Sequence, residues 1–190
     1  MMFVVSAPAG TGKTTLVQRL IQEFPSLMPS VSYTTRRPRQ GELDGLHYHF
    51  ITDAQFKEKI TAGDFLEYVE LYGTYYGTSR KWIEQQQQLG RHIVLVIDTQ
   101  GALRIKKTCP AVLIFVSPPS LEVLRDRLIR RQTEEPEVIE KRLAVAAVEM
   151  KAVSYYDYQV VNDDLETAYD VFRSIFIAEC HRIRVPASRG

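Results

Sequence analysis

The chain has 190 residues, 45% apolar and 25% charged, with a formal net charge of +1. That length gives one main domain with a full core, and the near-zero charge excludes binding of nucleic acid polymers or anionic membranes through an overall field. Cys109 and Cys180 lie far apart without metal-ligand spacing, which reads as two reduced thiols of a cytoplasmic protein, and neither a leader nor a membrane span is expected, since Met1 runs straight into a short apolar segment.

Residues 2–6 predict a buried strand, residues 7–14 a loop, and the apolar spacing from Leu16 to Ile21 a helix that runs to about Phe24 and stops at Pro25. The loop reads Ala7-Pro8-Ala9-Gly10-Thr11-Gly12-Lys13-Thr14, followed by Thr15. Strand, small-residue loop, Gly-Lys-Thr and helix in this order form the setting of a phosphate-binding loop. Gly10 and Gly12 let the backbone curl so that successive N–H groups face one anion. The helix start adds its positive dipole end. Lys13 can reach the β- and γ-phosphates of a nucleotide, and the Thr14 hydroxyl suits Mg²⁺. Ala7 stands where such loops usually carry their first glycine, and alanine fits there at negative φ.

Pro25 and Pro29 mark a connection, and residues 31–35 predict a strand end. Arg36 to Gly41 is a basic loop, and residues 46–51 an alternating strand with His47 and His49 on one face. Two histidines without further ligands do not make a metal site. Thr52 or Asp53 caps a helix ended by Gly63, and residues 65–71 alternate as a half-exposed strand with Phe65, Glu67, Val69 and Leu71 on one face. Residues 73–79 read as an aromatic turn. Thr78 or Ser79 then caps a helix carrying Trp82, Ile83 and Leu89, with the glutamine run 85–88 on its wet face.

Residues 92–98 form a continuous apolar run closed by Asp98, as in a central parallel strand. A short helix over 103–107, a buried strand over 112–116 and a helix capped by Ser120 follow, the last with Leu121, Leu124 and Leu128 on one face. Pro136 interrupts the helical pattern, which resumes over 137–153. Residues 158–161 are a last strand, and Leu165, Ala168, Tyr169, Phe172 and Phe176 stripe a last helix. Strands alternating with helices argue a parallel sheet covered on both faces.

Beyond the loop, Asp98 has two readings. It can hold Mg²⁺, directly or through water, at the carboxyl end of its strand, or it can cap the helix that begins near Thr99. Arg36 and Arg39 lie in a loop that Pro38 and Gly41 keep irregular, and their planar forks suit phosphate. Arg127 and Arg131 share a helix face, and Arg142 lies beyond the Pro136 break, an arrangement that suits a lid closing on a phosphoryl group. Arg125 and Arg130 read as surface residues.

Seven ordered segments resemble guanylate kinases, over about residues 3–182. They are Ser-Ala-Pro-Ala-Gly-Thr-Gly-Lys-Thr (6–14), Val-Ser-Tyr-Thr-Thr-Arg-Arg-Pro-Arg (31–39), Gly-Glu-Leu-Asp-Gly-Leu-His-Tyr-His-Phe (41–50), Phe-Leu-Glu-Tyr (65–68), Tyr-Tyr-Gly-Thr (75–78), Ile-Asp-Thr-Gln-Gly (97–101) and Val-Asn-Asp-Asp (161–164). The resemblance implies an α/β fold: a P-loop NTPase-type three-layer parallel sheet core (residues 1–31, 81–126 and 143–190), an inserted β-rich GMP-binding subdomain (32–80) and a helical lid (127–142). It implies Mg²⁺-dependent phosphoryl transfer from ATP to GMP by a monomer or weak homodimer. Residues Ala7 to Thr15, with Asn162, would hold ATP. Ser32, Glu67 and Thr78 would read guanine, with Asp98 near both base and metal, and Arg36, Arg39, Tyr48 and Tyr76 would hold the GMP phosphate. Lys13, Arg127, Arg131 and Arg142 would act on the transferring group. The chain departs from the family pattern where Arg130-Arg131-Gln132 replaces glycines around the lid arginines, and where Thr78 replaces a frequent serine. Two rivals remain at this level: a non-catalytic module of the same fold, and a kinase for a phosphorylated sugar.

Overall fold

The computed structural model describes residues 1–71, 73–130 and 135–183. In chain order it comprises β1 (Met2–Ser6), α1 (Lys13–Glu23), β2 (Leu27–Pro29), β3 (Tyr33–Thr34), β4 (His49–Phe50), α2 (Asp53–Thr61), β5 (Phe65–Leu71), β6 (Thr74–Ser79) and α3 (Arg80–Gln88). Then come β7 (His92–Val96), α4 (Thr99–Thr108), β8 (Val112–Ser117), α5 (Leu121–Arg130), α6 (Pro136–Met150), a 3-10 turn (Lys151–Tyr155), β9 (Tyr158–Val161) and α7 (Leu165–Cys180). No described helix is long and apolar enough to cross a membrane.

Five strands form a parallel sheet in the order β2-β7-β1-β8-β9. β1 lies at its centre, which is why every one of its residues is buried and its run is apolar without alternation. Phe3 and Val5 point to one face, where Leu16, Val17 and Leu20 of α1 and Phe172 and Phe176 of α7 cover them. Met2 and Val4 point to the other, onto Ile83 of α3 and Ala102 and Ile105 of α4. Two helical layers thus enclose the sheet. Because all five strands run the same way, their carboxyl ends share one edge, and there the chain turns into the loop after Ser6, into Asp98, and from Val161 into Asn162.

A second sheet, β4-β3-β6-β5, is mixed: β3 and β4 are parallel, while β6 runs antiparallel to both β3 and β5. Phe56 of α2 anchors it, stacked on Phe65 at 4.4 Å and on Tyr75 at 5.2 Å between ring centroids. A capping box starts α2, with Gln55 N–H donating to the Thr52 hydroxyl and Gln55 accepting from Thr52 N–H. A third apolar cluster joins α5 to α6 through Leu124, Leu128, Ile139, Leu143 and Ala146.

Several elements differ from the sequence expectation. Leu27–Pro29 is the edge strand of the parallel sheet, not a connection, and an edge tolerates the missing N–H of Pro29. Residues 74–79 are a strand and not a turn, because β6 gains ladder partners on both sides. Strand structure in the 46–51 stretch is confined to His49–Phe50, and His47 lies in the preceding turn, its Nδ1 accepting from Leu43 N–H at 3.0 Å. The run 92–98 is strand only to Val96. α4 is longer than expected, and Leu89 and Leu121 are exposed instead of joining their apolar stripes.

Gly77 is required by packing. A Cβ there would come to 2.9 Å from Phe56 Cζ and from Phe65 Cδ1 and Cε1. Gly77→Ala is expected to force the stacked rings apart and cost about 2 kcal/mol, measured by urea unfolding at constant m-value. A loss below about 0.5 kcal/mol would show that the stack yields freely.

Candidate active site

The turn from β1 into α1 has the backbone geometry of an anion cradle. Gly10 and Gly12 adopt φ of 92° and 85°, the left-handed region open to glycine. Gly12 precedes α1 and gives it no side-chain cap, which leaves the first N–H groups of the helix available to an anion. Thr11 is buried, with its hydroxyl donating to Pro8 O at 2.9 Å. Ala7 and Pro8 are buried, while Ala9, Thr14 and Thr15 are exposed at the rim. Lys13 is half-buried. Burial pushes its ammonium below the usual lysine range, and the charges of Glu149 and Asp98 pull it back up.

Asn162 closes the back of the loop. Its side chain is buried, and Nδ2 donates to Thr11 O at 2.6 Å. The Arg127 guanidinium donates to Asn162 O at 2.7 Å and to Asp163 O at 3.0 Å. In this structure Arg127 therefore serves backbone carbonyls beside the loop.

Glu67 and Thr78 face each other across β5 and β6, as their register requires. Both are buried, and the Thr78 hydroxyl donates to Glu67 Oε1 at 2.6 Å. Asp98 adopts its capping reading: Oδ1 accepts from Gly101 N–H at 2.9 Å at the start of α4. The two acids meet over Gly101, where a Cβ would lie 2.9 Å from Glu67 Oε2 and 3.1 Å from Asp98 Oδ1. Burial pushes the Glu67 carboxyl up to about 7, with Thr78 opposing, Asp98 adding and Arg104 opposing.

A second group gathers on the β3–β4 side. Arg36 makes a two-pronged pair with Glu42, at 2.8 and 2.9 Å, and lies 5.2 Å from the Tyr48 ring. Tyr48 and Tyr76 stand edge to face at 6.0 Å. Glu42 also accepts from Arg39 N–H at 2.7 Å, so one carboxylate organises the residues around both arginines. The Arg36 guanidinium holds the Glu42 carboxyl down at about 2.

Most candidate residues fall into these groups. Ser32 is half-buried, its carbonyl accepting from His49 N–H at 2.9 Å. Arg142 is half-buried on α6. Arg131 lies outside the described residues. Among the described residues no group of three or more His, Cys, Asp or Glu side chains could hold a metal ion. Three participants escaped the sequence reading. Glu42 organises the arginines, Arg104 offsets Glu67, and Glu149 faces Lys13 and Asp98, its carboxyl pushed up to about 7 by burial. Helical spacing could have found Glu149, since it follows Ile139, Leu143 and Ala146 on the buried face of α6.

A parallel sheet with this loop after its central strand, and charged groups converging at the same edge, defines a P-loop phosphotransferase of the α/β class. The guanylate kinase family model matches residues 1–179. A guanylate kinase of Protochlamydia amoebophila is 64% identical over 182 residues, covering 96% of this chain and 92% of that protein. One of Chlamydia trachomatis is 52% identical over 183 residues, covering 96% and 89%. The crystal structure of guanylate kinase from Anaplasma phagocytophilum superposes with a TM-score of 0.79 at 33% identity, covering 96% of this chain and 87% of that one. The chain belongs to the guanylate kinase family, and it is a nucleotide-binding kinase.

The raised Glu67 carboxyl has a consequence for stability. In the folded chain Glu67 keeps its proton up to about pH 7, while an unfolded glutamate loses it near 4.5. Folding therefore takes up a proton in that window, and this contribution to stability falls as pH rises through it. Glu67→Gln keeps an acceptor for Thr78 and removes the titration. The stability of the variant relative to the parent is expected to improve by about 3 kcal/mol between pH 4.5 and pH 8, followed by urea unfolding. A difference independent of pH would exclude a raised carboxyl at this position.

Proposed function

We propose that the chain transfers the γ-phosphoryl group of Mg²⁺-ATP to GMP, giving ADP and GDP. The observation that carries this reading is the buried Glu67–Thr78 pair at 2.6 Å, with Asp98 beside it at Gly101 and Tyr76 on the same strand as Thr78. The Watson–Crick edge of guanine offers two donors, N1–H and the 2-amino group, and one acceptor, O6. A carboxylate accepts both donors and a hydroxyl can serve O6. Adenine has a lone pair at N1 and no 2-amino group, so it sets an acceptor against the Glu67 carboxylate and supplies neither donor. That mismatch can discriminate by roughly 10⁴. A kinase for a phosphorylated sugar would not need this pair.

In the reaction the two nucleotides approach from opposite sides. The loop 7–15 and Lys13 hold the phosphates of ATP, and Arg36, Arg39, Tyr48 and Tyr76 hold the phosphate of GMP. Arg36 is then shared between Glu42 and that phosphate. Lys13, Arg127, Arg131 and Arg142 stabilise charge on the group in transfer, with no covalent intermediate. Mg²⁺, when bound, neutralises phosphate charge. Thr14 and Asp98 offer it the oxygen donors it prefers. The same reading assigns residues 1–31, 81–126 and 143–190 to the core, 32–80 to acceptor binding and 127–142 to a lid, and places the enzyme in the cytoplasm.

A coupled assay of ADP formation from Mg²⁺-ATP, run in parallel with GMP, AMP, UMP and dTMP, tests the reading. Turnover is expected with GMP, at a kcat/KM about 10⁴ above that for AMP. Turnover with another acceptor, or with none, overturns it. Glu67→Gln is expected to narrow the GMP to AMP ratio at least tenfold, about 1.4 kcal/mol, and an unchanged ratio removes Glu67 from base reading. Lys13→Ala is expected to lower kcat by roughly 10²-fold or more.

A further inference from the structure

A phosphate loop works by turning its N–H groups inward. A peptide is planar and trans, so its carbonyl points opposite to its N–H. Each inward N–H therefore sends a carbonyl outward into the protein, where it needs a donor. The Thr11 carbonyl and the Gly12 N–H belong to one peptide, and no described peptide bond is cis. The donor for the Thr11 carbonyl is Asn162 Nδ2, at 2.6 Å and buried.

Asn162 is itself fixed from both sides. Its N–H donates to Ser117 O at 2.8 Å, which continues the β8–β9 ladder by one step. Its carbonyl accepts from Arg127 at 2.7 Å. The contact with the loop is also close, because a Cβ on Gly12 would overlap Asn162 Nδ2. The left-handed φ of Gly12 and the missing side chain serve the same contact.

We infer that Asn162 is a positioning residue: its side chain orients the Thr11–Gly12 peptide so that the Gly12 N–H faces the bound triphosphate, and Arg127 holds Asn162 in place for that task. The inference rests on the reading that the loop binds the ATP phosphates. It differs from a direct role in ATP binding in acting on the phosphates through the loop, with no contact to the nucleoside required.

Inorganic tripolyphosphate separates the two, because it carries the phosphates and no nucleoside. Binding of tripolyphosphate, ATP and GMP to the parent, Asn162→Ala and Asn162→Asp is measured by titration calorimetry, with thermal unfolding alongside. Asn162→Ala is expected to weaken tripolyphosphate and ATP by the same factor, roughly tenfold, with GMP unchanged within twofold. Asn162→Asp is expected to weaken both further, since it sets a carboxylate oxygen against the Thr11 carbonyl. Loss of ATP affinity with tripolyphosphate unaffected overturns the inference and makes Asn162 a direct nucleoside contact. Unchanged affinities, or equal losses for all three ligands with a lowered Tm, overturn it as well. A parent protein that binds ATP but not tripolyphosphate also counts against it. A parent that binds neither overturns the functional reading itself.

Discussion

The structure depends on one constraint, the burial of β1 on both faces and both edges of the parallel sheet. A strand held between β7 and β8 and covered by helices on each side cannot shift its register without moving the whole core. Its end therefore fixes the loop that follows. The other strands end at the same edge because they are parallel, and β7 and β9 deliver Asp98 and Asn162 to either side of that loop. The second sheet meets this edge where Glu67 and Asp98 approach each other over Gly101 of α4.

Several charges at this edge have protein partners. Three acids, Glu67, Asp98 and Glu149, interact with one another or with Lys13, and two of them hold their protons to about pH 7. The arginines are occupied as well: Arg36 by Glu42 and Arg127 by backbone carbonyls. A buried unpaired charge costs several kcal/mol, so these partners lower the cost of folding the site. In the proposed reaction the phosphate of GMP joins Glu42 on the Arg36 guanidinium, so that arginine has an anionic partner before and after binding.

How much of this was legible in the sequence follows from the range of each interaction. The phosphate loop is local: nine consecutive residues encode strand end, turn and helix start, and the structure has all three where the pattern sets them. The Thr52, Ser79 and Ser120 caps are equally local. β2 was not legible, because three residues ending in proline carry no periodicity and owe their strand state to β7. β6 was hidden by Gly77, a residue that favours turns by propensity and sits here because two phenylalanines leave no room for more. Asp98 could be read as a metal residue or a cap from its place after an apolar run, and only the position of Gly101 N–H shows the capping bond. Glu42, Arg104 and Glu149 are single charged residues, and what distinguishes them is which partner the fold sets opposite.

Gly10 shows how closely the loop is joined to its surroundings. A Cβ on it would sit 2.9 Å from Leu128 Cδ2 and 3.2 Å from Leu124 Cδ1, so the outer side of the loop rests directly on two leucines of α5. Those leucines belong to the cluster shared with α6, the helix that carries Arg142 and Glu149. Hydrocarbon contacts have no preferred direction, unlike the hydrogen bonds on the loop's other side, so they permit small sliding while resisting separation. The phosphate loop thus has one stiff flank and one compliant flank. A change of side-chain volume at Leu124 or Leu128 therefore reaches Gly10 as directly as it reaches the α5–α6 cluster.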